Sequence, residues 1–230
     1  MDHQDEWNPD ISAAERYIRL AAKISPTRMP GGKATVNKVI GYPSPKMRML
    51  IRCESALERT VAVELEITPG VSAYYSQPPT CDIQTKDKKG RKRTVRYTPD
   101  FVCKSGDDIC VIEVKSINSI ATLAADNPHE WEFDGIHASH KSYSKYFESQ
   151  GMRHSVVIPD IYGKLRMHNL RTLDQALRRP LNVSERTTYK LLLALKEIGE
   201  ITIHEALSII QLKDPLAIYK LIAKGIIHSP

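Results

Sequence analysis

No stretch of this sequence approaches the ~20 consecutive apolar residues that a membrane-spanning helix requires. It also has few cysteines, with no Cys-x-x-Cys pair among Cys53, Cys81, Cys103 and Cys110. This scarcity favours reduced thiols over a disulfide or zinc framework. The first residues are acidic and polar, unlike a secretory signal peptide. We therefore expect a cytoplasmic protein with no membrane partner.

Length and charge set the next limits. The 230 residues, of which 41% are hydrophobic, suffice for one packed domain and a smaller second one. The net charge is +6 and the pI is near 9.1. This modest basic balance is compatible with a polyanionic partner, but it does not identify one.

Hydrophobic periodicity predicts two helices in the first third of the chain. Residues 12–23 have apolar side chains at helical spacing, and Ser12 is a suitable N-cap. Residues 26–49 read as an arm or loop because prolines and glycines interrupt the pattern. A second helix is predicted over residues 53–67, where apolar positions recur every fourth residue from Leu57.

The middle of the chain is rich in β-branched and aromatic residues, which predict strands. The predicted strands cover residues 71–77, 80–85, 93–97, 101–104, 109–115 and 154–159. A helix is predicted over residues 140–150, whereas residues 116–137 show no clear pattern. This order of elements predicts an α/β fold in which helices pack on a mixed sheet.

The composition becomes helical after about residue 168. Helices are predicted over residues 170–177, 184–198, 203–210 and 215–224. The last two suit a helix-turn-helix, with a wing strand after Gly225. DNA contact through Lys213, Lys220 and Lys224 is one interpretation of this unit. The candidate recognition helix is mostly apolar over residues 216–222, so we favour docking of a partner protein.

These patterns suggest three segments. The predicted limits are an N-terminal helix and arm (1–40), a main domain (41–165) and a C-terminal domain (166–230).

Asp100, Glu113 and Lys115 carry the chemistry of the main domain. Asp100 immediately precedes one predicted strand, and Glu113 and Lys115 lie on one face of the next. A hairpin between these strands brings Asp100 beside Glu113. Two carboxylates, one ammonium and the backbone carbonyl of Val114 suit a Mg²⁺ or Mn²⁺ ion and phosphodiester hydrolysis. The alternative is an ordinary surface ion pair on a strand.

A further acid from the preceding helix would complete such a site. Glu58 lies beside the apolar stripe of that helix, and Glu54, one turn earlier, is its rival. Either residue is otherwise an ordinary carboxylate on a helix surface.

A basic run separates two of the predicted strands and includes Lys88, Lys89, Arg91, Lys92 and Arg93. At the tip of a hairpin these side chains would contact DNA phosphates, and Lys46 would extend the same surface. The alternative is a solvated turn whose charges protect the edge of a sheet. We favour phosphate contact because the strand that leaves the run leads to Asp100.

Five short motifs occur in one order along the chain. They are Gly41-Tyr42-Pro43-Ser44-Pro45-Lys46, Glu54-Ser55-Ala56-Leu57-Glu58-Arg59, Tyr75-Ser76-Gln77-Pro78, Tyr97-Thr98-Pro99-Asp100-Phe101 and Glu113-Val114-Lys115. Together they resemble the TnsA endonuclease family of the PD-(D/E)xK nuclease superfamily. The resemblance covers residues 40–116 well and residues 140–160 loosely. It implies a restriction-endonuclease-like mixed sheet core with flanking helices and a winged-helix-like C-terminal domain.

The resemblance also implies roles for individual residues. Glu58, Asp100 and Glu113 would be catalytic metal ligands, Lys115 the catalytic lysine, and Gln77 a neighbour of the site. The implied cofactor is Mg²⁺, for which Mn²⁺ can substitute.

By the same resemblance the protein would be one half of a heteromeric transposase in a bacterial cytoplasm, associated with the nucleoid when active. It would cut double-stranded DNA at the 5′ side of each transposon end, leaving a 5′-phosphate and a 3′-hydroxyl. The implied partners are a TnsB-type transposase and a TnsC-type ATPase regulator, the latter bound by the C-terminal domain. The alternatives are a restriction or junction-resolving nuclease on the same core, and a non-catalytic DNA-binding adaptor with a helix-turn-helix tail.

Overall fold

The computed structural model describes residues 11–24, 39–181 and 183–228. Contacts divide the chain into two compact units, residues 1–66 with 70–162 and residues 67–69 with 163–230. Most of the arm predicted within residues 1–40 lies outside the described residues. No helix in the described ranges is long and apolar enough to cross a membrane.

The first unit is a mixed α/β structure. Its elements, in chain order, are α1 (Ala13–Lys23), β1 (Ile40–Ser44), β2 (Met49–Cys53), α2 (Ala56–Ile67), β3 (Val71–Ser76), β4 (Cys81–Lys86), β5 (Lys92–Tyr97), β6 (Phe101–Ser105), β7 (Asp108–Val114), α3 (Ile117–Asp126), β8 (Trp131–Phe133), β9 (Ala138–His140), α4 (Lys141–Ser149) and β10 (Arg153–Val157). The central sheet has the order β10-β7-β6-β3, in which β10 runs parallel to β7 and the other pairs are antiparallel. Strands β1–β2, β4–β5 and β8–β9 form separate two-stranded ribbons.

Helix α1 and the central strands build one face of the core. The helix begins at Ser12, whose Oγ accepts the N–H of Glu15 (3.1 Å), as the N-cap prediction required. Its apolar side packs against β3, β6 and β7. The buried residues of this cluster are Ala14, Ile18, Ala21, Ile83, Tyr97, Val102, Ile109, Val111, Phe147 and Met152. The central strands thus present apolar side chains to helices, as the predicted fold of helices packed on a mixed sheet requires.

The loop predicted over residues 26–49 is wrong for residues 40–49, which form β1 and the turn to β2; residues 25–38 lie outside the described part. Pro43 pairs with Leu50, and Tyr42 and Ser44 are buried while their neighbours are not. A ribbon strand tolerates proline because one of its edges makes no ladder bonds. The prolines therefore concealed a strand whose burial alternates along its length.

The second unit is helical over its described residues. Its helices are α5 (Lys164–Arg178), α6 (Glu185–Ile198), α7 (Ile203–Ile210) and α8 (Leu216–Ala223). Ser184 caps α6, Gly199 ends it at φ 87°, and Thr202 and Glu205 form a capping box on α7. The predicted wing strand is wrong, because residues 226–228 form no strand. Ile227 is instead buried in the cluster that the helices enclose.

Candidate active site

Asp100 is fixed just before β6 by three hydrogen bonds to the backbone. Its N–H donates to the carbonyl of Ile112 (3.1 Å), and its carbonyl accepts the N–H of Gln77 (2.9 Å). Its side-chain Oδ2 accepts the N–H of Val114 (2.7 Å). The register of β6 and β7 then sets Asp100 opposite Glu113. The hairpin brings the two carboxylates together in the way that the sequence predicted.

Glu113 and Lys115 alternate with Val114, so both lie on one face at the end of β7. Lys115 Nζ forms an ion pair with Glu113 Oε1, and the Tyr97 hydroxyl donates to Glu113 Oε2 at 2.6 Å. Burial and the charge of Glu113 raise the pKa of Tyr97 well above its ordinary value, so the hydroxyl keeps its proton. Glu113 is only 7% exposed. Lys115 is half-buried, so this pair is more enclosed than the surface ion pair considered as the alternative.

Glu58 is the acid of α2 that faces this group. It is buried, and its carboxylate accepts the N–H of Glu54 (2.7 Å) and the hydroxyl of Ser55 (3.0 Å). Its charge acts on both Asp100 and Lys115, whereas Glu54 acts on Glu58. Of the two rival acids, the structure therefore places Glu58 in the group.

Three carboxylates and one ammonium leave this group with an excess of negative charge. Burial first, and then the charge of Glu113, raises the pKa of Asp100 to about 8, although the Val114 N–H and Lys115 oppose this. Burial likewise raises the pKa of Glu58. Burial alone would lower the pKa of Lys115, but the carboxylates, led by Glu113, outweigh it and raise that pKa. Lys115 is therefore a stable cation among carboxylates that repel one another.

The donor chemistry of this group suits a hard divalent cation. Every candidate ligand atom is an oxygen, and a double positive charge would balance the surplus carboxylates. Across the described ranges, however, no three His, Cys, Asp or Glu side chains are arranged so that they could hold an ion. Glu58 accounts for part of this, because its carboxylate is turned onto its own helix. The residues fit Mg²⁺ or Mn²⁺ by chemistry and charge. Of the three carboxylates, Asp100 and Glu113 already lie together.

An open groove of about 560 Å³ lies beside Lys115. The residues that line it with Lys115 all belong to α3: Asn118, Ser119, Thr122 and Leu123. Helix α3 begins at Ser116, and its first turn carries no acid. The N–H of Ile117 donates to Asp160 Oδ2 (2.8 Å), which fixes the start of the helix. A polyanion in this groove would meet one ammonium and neutral hydrogen-bonding side chains.

The turn of the β4–β5 hairpin carries the basic run and is organised by Asp87. Asp87 Oδ1 accepts the N–H groups of Lys89 and Arg91, both at 2.9 Å. Arg91 Nε also pairs with Asp87 Oδ2, and Lys88 pairs with Asp126 at the end of α3. Such exposed pairs contribute little to stability, so their lysine and arginine can exchange partners at low cost.

The strand that leaves this turn presents further positive charge. Lys92 pairs with Lys86 across the hairpin, and Arg93 lies on the face of β5 that also carries Tyr97. Lys89, Lys92 and Arg93 are exposed. Buried Glu130 holds the end of β4 next to the turn, because it accepts the N–H of Lys86 (2.7 Å) and the N–H of Ser142 at the start of α4 (3.1 Å).

The sequence analysis also named Gln77 and Lys46; the first lies beside the carboxylate group and the second lies at the end of α2. Gln77 is buried in the left-handed region (φ 51°), and its N–H contacts Asp100, so it lies beside the group. Lys46 lies at the end of α2, where its Nζ donates to the carbonyl of Leu65 (2.7 Å) and its N–H to Glu66 (2.8 Å). Burial lowers the pKa of Lys46. Its ammonium is engaged inside the fold, a position that does not favour the predicted DNA contact.

The sequence analysis gave no role to an aromatic cluster behind Glu113. Tyr97 stacks on Tyr143, with ring centroids 4.1 Å apart, and Tyr143 stacks on His140 at 3.5 Å. His154 Nε2 lies 3.2 Å from the Tyr97 hydroxyl. Burial lowers the pKa of both histidines to about 4, so both rings are neutral at neutral pH. Strand alternation in the sequence could have placed Tyr97 on the inner face of β5. Its hydrogen bond to Glu113 is visible only in the structure.

In the second unit, the apolar side chains assigned to a recognition helix serve the core. Ala217, Ile218 and Leu221 are buried in the helical cluster. Lys220 Nζ donates to the carbonyl of Arg179 (2.6 Å). The predicted choice between DNA contact and partner docking through this helix stays a prediction for the residues that remain exposed.

A four-stranded mixed sheet with an acid before one strand and Glu-x-Lys at the end of its neighbour defines a restriction-endonuclease-like core. A helical region follows it in the chain. Residues 68–159 match the family model described as TnsA-like endonuclease N terminal. Residues 68–159 of the chain are therefore a TnsA-like endonuclease domain, as the sequence motifs predicted.

The matched range includes Gln77, Asp100, Glu113 and Lys115, whereas Glu58 lies ahead of it. No curated protein matched the chain.

Proposed function

We propose that this protein is the metal-dependent DNA endonuclease subunit of a heteromeric transposase, and that it cuts the 5′ side of each transposon end. The observation that carries this proposal is the group of Asp100, Glu113, Lys115 and Glu58 at one end of the central sheet. Three of these four residues lie within the range that matches the TnsA-like endonuclease model. Oxygen ligands, a half-buried lysine and an adjacent groove are the parts that phosphodiester hydrolysis needs.

Asp100, Glu113 and Glu58, with the backbone carbonyl of Val114, would hold Mg²⁺, or Mn²⁺ in its place. The bound cation would supply a water of lowered pKa and neutralise charge on the phosphate. Asp100 is suited to this role because its position is set by backbone hydrogen bonds on both sides. Glu58 would have to release the N–H of Glu54 to join it, since that bond now occupies its Oε2.

Lys115 would act as a hydrogen-bond donor and not as a base. Its raised pKa keeps it protonated at neutral pH, and Glu113 fixes its ammonium. A cation held this way can donate to a non-bridging phosphate oxygen or to the attacking water and stabilise the charge that develops. Hydrolysis would form a bond from the water oxygen to phosphorus and break the P–O3′ bond; O3′ would take up a proton, which leaves a 5′-phosphate and a 3′-hydroxyl.

The groove along α3 would hold the strand on its way to the site. Lys115 marks one end of α3, and the pair of Asp126 with Lys88 joins the other end to the basic hairpin. Lys88, Lys89, Arg91, Lys92 and Arg93 would then contact phosphates beyond the cleavage point. The neutral, hydrogen-bonding face of the helix between them adds no repulsion toward a polyanion.

The second unit offers support for a protein partner. A groove of about 440 Å³ is lined by apolar and basic residues, among them Tyr189, Leu192, Lys220 and Lys224. Tyr189 is 62% exposed and Leu192 in the same groove is also exposed, and contiguous exposed apolar surface of this kind marks interaction sites. We propose that a TnsC-type ATPase regulator binds this unit, and that a TnsB-type transposase cuts and joins the other strand.

The test is nicking of double-stranded transposon-end DNA in Mg²⁺ or Mn²⁺ with the cognate transposase present. We expect Asp100→Ala and Lys115→Ala to abolish nicking, and Asp107→Ala, in the exposed turn between β6 and β7, to leave it unchanged. Full activity of either site variant would refute the catalytic assignment. Cleavage without partners at a short sequence or at branched DNA would indicate a restriction or junction-resolving nuclease. DNA binding without Mn²⁺ binding or cleavage would indicate a non-catalytic adaptor.

A further inference from the structure

The hydroxyl of Tyr97 donates a hydrogen bond to one of the two carboxylate oxygens of Glu113. Tyr97 ends β5 and is only 7% exposed. Its hydroxyl donates to Glu113 Oε2 at 2.6 Å, while Lys115 pairs with Oε1. Each oxygen thus has its own protein donor, and the plane of the carboxylate is set between them.

The ring of Tyr97 is itself held on several sides. It stacks on Tyr143 at an interplanar angle of 23° and meets Phe147 edge to face, with ring centroids 6.2 Å apart. His154 also lies edge-on to it at 6.1 Å. A ring packed in this way cannot follow a moving carboxylate, so the hydroxyl is a fixed point.

The hydrogen bonds behind Tyr97 all run in one direction. The single hydroxyl proton of Tyr97 goes to Glu113, so the contact from His154 Nε2 (3.2 Å) requires Nε2 to carry the imidazole proton. The other ring nitrogen, Nδ1, is then an acceptor, and the Ser144 hydroxyl lies 3.5 Å from it. The chain from Ser144 through His154 and Tyr97 ends on Glu113. Donors aligned in this sense strengthen one another.

We propose that Tyr97 is a positioning residue that fixes Glu113 for cation binding, with His154 and Ser144 as its support. This inference rests on the proposed function, since it assumes that Glu113 is a metal ligand. A glutamate has several rotatable bonds, and an unrestrained carboxylate must lose that freedom when it binds an ion. Tyr97 removes this freedom in advance and leaves Oε1, the oxygen beside Lys115, as the one that meets the cation.

The first test compares Mn²⁺ binding to the metal-free protein by calorimetry for wild type, Tyr97→Phe and Tyr143→Phe. Tyr143→Phe is the matched control, because it removes a hydroxyl from the same aromatic stack but not from the chain to Glu113. We expect the Kd for Mn²⁺ to rise 10- to 100-fold in Tyr97→Phe, the usual effect of losing such a partner, and to stay within about twofold in Tyr143→Phe. An unchanged Kd in Tyr97→Phe would overturn the inference.

The dependence of nicking on Mn²⁺ concentration is a second measurement, and a purely structural role of Tyr97 would not change it. If Tyr97 acts through the cation, nicking by Tyr97→Phe should be low at limiting Mn²⁺ and return toward the wild-type rate at saturating Mn²⁺. A loss that Mn²⁺ does not reverse, in a variant that remains folded, would contradict the inference.

A variant of the supporting histidine guards against a Tyr97→Phe protein that does not fold. His154→Phe keeps a ring but removes the donor to Tyr97 and leaves the Tyr97 hydroxyl on Glu113, and we expect a smaller rise in Kd, about two- to fivefold. An unchanged Kd would overturn the role of the chain. If wild type itself binds no Mn²⁺, the proposed function fails; if wild type binds and the variants bind equally well, the inference alone fails.

Discussion

Asp100 illustrates a conflict between stability and function in one side chain. Its carboxylate is held close to Glu113 and within the field of Glu58, and burial raises its pKa to about 8. Residue types and strand alternation were enough to predict that Asp100, Glu113 and Lys115 converge. They were not enough to choose between Glu58 and Glu54, because that choice depends on where α2 begins: the helix starts at Ala56, so Glu54 precedes it.

We predict that Asp100→Asn stabilises the metal-free protein. The asparagine oxygen can keep the hydrogen bond from the Val114 N–H. Asparagine also avoids the cost of protonating the Asp100 carboxyl on folding, since that carboxyl has a pKa of about 8 beside Glu113. The expected gain in the free energy of unfolding is about 1–3 kcal/mol at neutral pH, measured by urea denaturation in chelator.

The control for this prediction is Asp107→Asn, an exposed change in the β6–β7 turn that should alter the free energy of unfolding by less than about 0.5 kcal/mol. Mn²⁺ should stabilise wild type but not Asp100→Asn. A less stable Asp100→Asn protein would contradict the account of charge repulsion.

At the scale of elements, the predicted helices and strands with clear periodicity were found close to their expected limits. Helix α7 runs over residues 203–210, as expected, and the strands from β3 to β7 lie within one or two residues of their predictions. Prolines hid β1. Helix α3 was missed although Ile117, Ile120 and Leu123 recur at helical spacing and pack in one cluster, because the asparagine, serine and threonine between them favour turns and caps as readily as helix.

The polar face of α3 leads to a prediction for the groove. Thr122→Asp should weaken DNA binding about fivefold, equivalent to about 1 kcal/mol, because it places a negative charge beside the proposed path of the strand. Fluorescence anisotropy with transposon-end duplex in Ca²⁺, which is expected not to support cleavage, would measure the change.

Thr172→Asp on α5 is the matched control. Thr122 Oγ1 donates to the carbonyl of Asn118, and Thr172 Oγ1 makes the same bond to His168, so both substitutions remove an equivalent contact. Equal weakening by the two variants would argue against the α3 groove as the binding path.

The basic hairpin gives a second prediction at this scale. The double variant Lys89→Gln, Lys92→Gln should reduce the slope of log K against log salt by about 2, since each phosphate contact contributes about 0.9. The measurement is the dissociation constant for duplex DNA at a series of salt concentrations. Lys196→Gln on α6 is the control and should leave the slope unchanged. An unaltered slope in the double variant would identify the run as a solvated turn.

At the scale of the whole molecule, buried neutral histidines should make the fold sensitive to acid. Burial lowers the pKa of His140 and of His154 from 6.5 to about 4 in the folded protein. The unfolded chain therefore binds more protons between these values, so stability is complete above about pH 6.5 and falls as the pH drops toward 4. Each histidine contributes about 3 kcal/mol to this loss at the acid end.

We predict that His140→Asn flattens the dependence of the melting temperature on pH between 7 and 4. Asparagine can still accept the N–H of Tyr143 as an N-cap, but it does not titrate. Exposed His137, which pairs with Asp134, supplies the control His137→Asn, for which we expect the wild-type slope. An unchanged slope in His140→Asn would show that this ring is already charged in the folded state.

The sequence by itself determined the mixed α/β class and the meeting of Asp100 with Glu113, because strand alternation and hairpin pairing are local rules. Its motifs also indicated the TnsA-like endonuclease domain. Only the tertiary structure decided the contacts that join distant segments. Tyr97 reaches Glu113 across a gap of 16 residues, His154 reaches Tyr97 across 57, and Lys46 donates to the carbonyl of Leu65 across 19. Such contacts depend on how sheets and helices pack against one another, and packing is not encoded in the spacing of residues along the chain.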